Sequence, residues 1–282
     1  MENPKFVFFG TPASSVIVLE KLKEDGLIPR LIVTAPDKPQ GRKMIISPPP
    51  VAIWARENNV AELQPEKLTD EVIEKIRGKA PQGAWDFFVV VAYGYILPQS
   101  LLDIPKKGVL NVHPSLLPKY RGASPIRTAI LEGEEKTGVS VMVIDEEVDH
   151  GPTLSSETIE IDSSIGAISL ERRLFEIGGK LLANTIPKWL SGSIEPKEQK
   201  HEEASFSNKI KRENGLIDLE DDAYKNLRKI RAYEGWPGTY FFTESGTRVK
   251  IIDAEIEHDK LKINRVIPEG KNEMRYEDFF KN

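Results

Sequence analysis

The chain has 282 residues, 39% apolar and 29% charged, with a net charge of −5 and no cysteine. That length predicts two domains and that composition a folded soluble chain, and the mild acidity argues against indiscriminate binding to phosphate backbones. The absence of cysteine excludes disulfides, thiolate nucleophiles and cysteine-held metals.

The start, Met1 to Gly10, lacks a basic stretch followed by an apolar one and reads as a first strand rather than a signal peptide. No apolar run approaches the ~18 residues of a membrane span, so a cytoplasmic location is the expectation. The run Phe6–Phe9 closes on Gly10-Thr11-Pro12 and predicts a strand, then a helix over Ser14–Lys23. The glycines of a Gly-x-Gly-x-x-Gly turn are missing, which argues against a dinucleotide site. A strand over Leu31–Thr34 leads into the basic loop Pro36–Met44. Helices are predicted over Val51–Asn58 and Thr69–Arg77, with Thr69 as N-cap. Six apolar residues, Phe87–Ala92, suit a strand buried on both faces of a parallel sheet.

Strands over Val109–His113 and Val139–Ile144 follow, separated by a short helix over Ile126–Leu131. Ser164–Leu190 then carries a helical apolar stripe of Ile165, Ile168, Leu174, Ile177, Leu181 and Leu182. Such alternation predicts an α/β fold with a doubly wound, Rossmann-like, mostly parallel sheet over residues 1–190. Residues 191–203 are charged and poor in large apolar side chains, which is a linker composition. Beyond them a helix over Tyr224–Tyr233, a Trp236-Pro237-Gly238 turn and strands over Thr239–Phe242, Val249–Ala254 and Lys260–Val266 predict a smaller β-rich domain over 204–282.

Chemistry concentrates in Asn111-Val-His-Pro-Ser-Leu-Leu-Pro118 and in Asp145-Glu-Glu-Val-Asp-His-Gly151. Asn111 and His113 stand two apart on a predicted strand, so their side chains share a face. Asp149 lies on the loop after the next strand, and a strand pair with an acid on a neighbouring loop is a common way for α/β sheets to build a site. An amide and an imidazole supply donors for a developing oxyanion. A carboxylate facing the ring favours its protonated form and can relay a proton through water. Considered alone, the trio reads equally well as a satisfied polar pair and a turn acid. His150 is expected to point away from Asp149. A metal site is disfavoured because no second histidine or carboxylate sits at ligand spacing.

These residues resemble the formyltetrahydrofolate-dependent formyltransferases. The resemblance also rests on Phe8-Phe-Gly-Thr-Pro12, Thr34-Ala-Pro-Asp-Lys-Pro39, Ala92-Tyr-Gly-Tyr-Ile-Leu-Pro98, Arg121-Gly-Ala-Ser-Pro125, Thr137-Gly-Val139, Ile230-Arg-Ala-Tyr233 and Trp236-Pro-Gly238. The Pro-Asp-Lys-Pro loop and the Trp-Pro-Gly turn point to the branch with a C-terminal domain. It implies a formyltransferase fold followed by an OB-like β-barrel, here shortened by about one hairpin. It also implies formyl transfer from 10-formyltetrahydrofolate to the α-amino group of methionyl initiator tRNA, by a monomer and without a metal.

Within that resemblance Asn111, His113 and Asp149 would be catalytic. Ser115, Leu116, Leu117, Pro118, Phe88, Val90, Tyr93 and Asp145 would line the folate site, although the two leucines read equally as core. Lys38, Arg42, Lys43, Lys209 and Arg212 would meet tRNA phosphates, and Arg121 would help position substrate. Acids interrupt the basic run between Lys209 and Arg231, so a continuous basic stripe does not follow from sequence alone. The chief alternative acceptor is an amino-sugar nucleotide. A glycinamide ribonucleotide formyltransferase shares the His-Pro-Ser-Leu-Leu-Pro run but would not need a second domain. A catalytically dead folate- or RNA-binding module would break the trio, and all three positions are filled.

Overall fold

The computed structural model describes residues 3–41 and 44–280. The chain divides into two compact units: Met1–Arg121 with Gly138–Thr158 and Arg172–Ser205, and Gly122–Thr137 with Ile159–Glu171 and Phe206–Asn282.

The first unit is built on a sheet whose strands are β1 (Phe6–Gly10), β2 (Leu31–Val33), β3 (Ala61–Leu63), β4 (Phe87–Val91), β5 (Val109–His113), β6 (Lys136–Val143) and β7 (Thr153–Glu160). Their order is β7-β6-β5-β4-β1-β2-β3. β1 pairs parallel with β2 and β4, β2 with β3, and β4 with β5, while β5 and β6 run antiparallel. Every residue of β1 and β4 is buried, as continuous apolar strands require when both faces of a parallel sheet are covered. Strand β3 was not legible: three residues, Ala-Glu-Leu, show neither an apolar run nor alternation.

Helices α1 (Ala13–Glu24), α2 (Pro50–Glu57), α3 (Asp70–Gly78) and α4 (Gln99–Leu102) connect these strands. Thr69 holds the N-cap position of α3, but its hydroxyl makes no capping bond; its carbonyl accepts from the Ile73 amide at 2.9 Å. After β2, Lys38–Gln40 pairs antiparallel with Ile45–Ser47. After helix α5 (Pro125–Glu132) and the last two strands comes α6 (Ala167–Ser191). Its buried face includes Leu170, Leu174, Phe175, Gly178, Leu182 and Ile186; of the predicted stripe Ile165, Ile177 and Leu181 are half-buried and Ile168 is exposed. Gly178 and Gly179 make the close approach: a methyl on Gly178 would stand 2.7 Å from Val112 Cγ1, and one on Gly179 2.7 Å from Lys21 Cβ.

The second unit carries helix α7 (Ala223–Ala232), a four-stranded antiparallel sheet and the short α8 (Tyr276–Phe279). The sheet runs β8 (Thr239–Phe242), β9 (Arg248–Glu257), β10 (Lys260–Pro268), β11 (Met274–Arg275), each paired with the next. Ile217, Phe241, Val249, Ile251, Ile263 and Val266 form its core. A register shift between Ile251 and Ala254 marks a bulge in the long β9–β10 pair. Strands β8 to β10 follow the predicted ones because their alternation is a period-2 signal.

Candidate active site

Asn111 and His113 occupy β5 at positions two apart, and Val112 between them faces α6. The loop after β6 leaves from the opposite end of β5, since Val143 pairs with Leu110. It then turns back, which brings Asp149 Oδ1 to 3.4 Å from Asn111 Nδ2 and 3.6 Å from His113 Nδ1. The three side chains meet, and His113 and Asp149 are largely buried. The His113 Nε2 atom lies 3.0 Å from the Tyr120 carbonyl oxygen, which can only accept; Nε2 therefore carries hydrogen and Nδ1 is the atom turned to the carboxylate. Among the described residues Asn111 keeps one amide hydrogen without a partner, so it can donate to a further group.

The return of the loop is enforced by its backbone. Asp149 adopts a left-handed φ of +51°, which costs a non-glycine residue and needs outside support. Gly151 admits no side chain, because a methyl there would lie 2.0 Å from the Val143 carbonyl. Gln199 supplies the support: its Nε2 donates to the Asp149 carbonyl at 2.9 Å and to the Gly151 carbonyl at 2.7 Å. Its Oε1 accepts from Arg121 Nε at 3.1 Å and Nη2 at 2.8 Å. Arg121 is itself buried. Its guanidinium serves this internal network and also donates to His201 Nδ1 at 2.9 Å. Sequence reading passed over Gln199 and His201, which lie in a stretch read as a linker; a lone glutamine among charges carries no periodic or motif signal. There Lys197 also pairs with Thr153.

His150 turns away from Asp149, bonds to Asp145 Oδ2 at 2.7 Å and stacks on His201 with ring centroids 4.0 Å apart. The residues expected to line a folate site fall into two groups. Ser115 is buried and its hydroxyl donates to the Lys119 carbonyl at 2.6 Å, so it closes its own turn. Phe88 and Val90 belong to the core cluster beneath the sheet. Leu116, Leu117 and Pro118 are half-buried, and Leu117 N donates to Ser140 Oγ. The Leu116 side chain sits against Gly138, where a methyl would come within 2.5 Å of Leu116 Cδ2 and 2.1 Å of the Glu157 carbonyl. That contact explains the Thr137-Gly-Val139 motif.

Tyr93 is buried against Phe9 and Tyr95, ring centroids 5.5 and 5.2 Å away. Its phenol oxygen has no partner among the described residues. Burial pushes its pKa upward, with the neighbouring Tyr95 adding to the shift. Tyr93 belongs to the core cluster that also holds Phe88 and Val90, and a buried hydroxyl without a partner is an exception that asks for an explanation. Lys38, Lys209 and Arg212 are exposed, whereas Arg42 and Lys43 lie outside the described residues. No group of metal-holding side chains occurs among the described residues, and no described helix is long and apolar enough to cross a membrane.

An amide, an imidazole and a carboxylate meet on a mostly parallel α/β sheet, and the chain belongs to the formyl transferases. The formyl transferase family matches residues 4–186 and the formyl transferase C-terminal domain family residues 209–262. One relative is the methionyl-tRNA formyltransferase of Bacillus licheniformis, 37% identical over 98% of this chain and 94% of its own. The fold matches the methionyl-tRNA formyltransferase of Clostridium thermocellum with a TM-score of 0.62 at 18% identity, over 94% of this chain and 98% of that one. It also matches the N-formyltransferase of Helicobacter canadensis solved with folinic acid and dTDP-3-aminofucose, TM-score 0.67 at 18% identity, over 92% and 98% of the two chains.

Proposed function

We propose that this chain transfers the formyl group of 10-formyltetrahydrofolate to the α-amino group of methionyl initiator tRNA. The observation that carries the chemistry is the meeting of Asn111, His113 and Asp149. As the amine bonds to the formyl carbon, the carbonyl oxygen gains negative charge, and the free amide hydrogen of Asn111 donates to it. His113, held between the Tyr120 carbonyl and Asp149, would keep the carboxylate beside the reacting groups. Asp149 takes the proton that the amine gives up, directly or through water, and passes it to the departing folate nitrogen. No covalent enzyme intermediate is required. Tyr93, Asp145 and the Leu116–Pro118 turn would hold the donor's ring system, and the role of Ser115, Phe88 and Val90 would be to keep that wall in place from behind.

The acceptor assignment follows the relatives at about 40% identity and one surface of the second unit. Tyr240 pairs with Lys250 and Phe242 with Arg248 across β8 and β9, so the four side chains share the sheet face opposite the core. Phe242 is exposed, and the Arg248 guanidinium stands 5.4 Å over the Tyr240 ring. Aromatic rings alternating with cations make a platform for stacked bases and phosphates, which a sugar nucleotide does not require. Lys209 and Arg212 in this unit, and Lys38, Arg42 and Lys43 in the first, would add phosphate contacts.

The test is a competition assay in which labelled formyl folate is offered to charged initiator tRNA, an amino-sugar nucleotide and glycinamide ribonucleotide. Formylation of the tRNA is expected; transfer only to the sugar nucleotide would favour the alternative supported by the Helicobacter canadensis fold match.

A further inference from the structure

From the hydrogen bonds around the returning loop we infer that Gln199 is a positioning residue for catalysis, acting through the backbone of Asp149. The inference rests on the reading of Asp149 as the proton relay. Gln199 is buried, and both its donors and both acceptor directions are used. Arg121 has donors only, so Oε1 must face it and Nε2 must face the two carbonyls; the amide cannot flip.

The pair of carbonyls it holds bracket His150, and the first belongs to the residue with the left-handed φ. The contacts of Asp149 with Asn111 and His113 are 3.4 and 3.6 Å, longer than ordinary hydrogen bonds, whereas Gln199 grips the backbone on both sides of His150 at 2.9 and 2.7 Å. The clamp thus helps to set where the carboxylate stands. With it gone, the chain relaxes towards ordinary φ values and the carboxylate leaves the amide and imidazole. A misplacement of that kind by about 1 Å costs on the order of 100-fold in rate.

Two substitutions separate positioning from folding. Gln199→Leu removes the whole amide. Gln199→Glu keeps an acceptor for Arg121 and gains an ion pair with it, but presents oxygen to the two carbonyls. Each is assayed for kcat and for both KM values with the acceptor chosen by the competition assay, alone and combined with Asp149→Ala. We expect kcat to fall on the order of 100-fold in both Gln199 variants with the KM values within about twofold of wild type. In the Asp149→Ala background the Gln199 substitutions should change kcat no further, because the group they position is absent.

Wild-type kcat in Gln199→Glu overturns the inference. So does a loss that multiplies with that of Asp149→Ala, which would place Gln199 on another route. A wild-type kcat in Asp149→Ala alone overturns the relay reading itself, and is told apart from the other outcomes because it involves no change at Gln199.

Discussion

Asn111 has an amide hydrogen with no partner among the described residues beyond its long contact to Asp149, so its removal should act chiefly on the transition state. Asn111→Ala is expected to lower kcat by 10²–10³-fold, about 3–4 kcal/mol, with the KM for the formyl donor little changed. Steady-state kinetics check this, and a rise in KM with kcat intact would assign the amide to ground-state binding. Tyr93 makes the contrasting case, since its buried hydroxyl has no partner among the described residues. Tyr93→Phe should leave stability at neutral pH unchanged or raise it by about 1 kcal/mol. The phenol binds its proton more tightly folded than unfolded, so its contribution is intact below about pH 10 and declines as pH rises beyond it. Denaturant unfolding above pH 10 should accordingly show a shallower loss of stability in Tyr93→Phe than in wild type. If the hydroxyl meets the donor's ring, the same variant raises the donor KM.

Elements with a clean periodic signal matched expectation because periodicity reports burial directly. β5 spans Val109–His113 and β8 spans Thr239–Phe242 as predicted, and α7 ends within a residue of the predicted end. Elements that borrow their stability from neighbours were not readable. β3 exists because β2 offers it a parallel edge, and the antiparallel pairing of Lys38–Gln40 with Ile45–Ser47 has no periodic signal in the basic loop. Helix caps divide in the same way. Asp222 accepts from the Lys225 amide at 2.7 Å at the start of α7, while Thr69 makes no such bond at the start of α3. Gly138 shows a packing constraint within an element, lying in β6 against the Glu157 carbonyl and Leu116. Gly138→Ala should cost about 3 kcal/mol or more through overpacking and should weaken donor binding by displacing Leu116. The midpoint of denaturant unfolding and the donor KM together check this prediction.

At the scale of the whole molecule, the net charge of −5 hides local cations that the acids around them do not cancel everywhere. Arg248 and Lys250 share the outer face of the second unit's sheet with Tyr240 and Phe242. Phe242→Ala should weaken tRNA affinity by about 1–3 kcal/mol, as loss of one stacking ring does. The KM for tRNA should rise steeply with salt while that for the folate stays nearly constant. A filter-binding titration across salt concentrations separates the two effects.

By itself the sequence determined the fold class and most element positions, because burial patterns are written in residue order; Asn111, His113 and Asp149 stood out only through the family resemblance, and the structure brings the three together. Only the tertiary structure decided how the trio is assembled. The loop carrying Asp149 starts at the far end of β5 and is bent back through a left-handed residue, a glycine with no room for a side chain, and an amide 50 residues away in sequence. Arg121, expected at the substrate, is instead buried against that amide. Such a clamp leaves no local trace because a single glutamine has neither period nor motif. Its role exists only once folding has brought Gln199 beneath the loop and removed the water that would otherwise satisfy the same carbonyls.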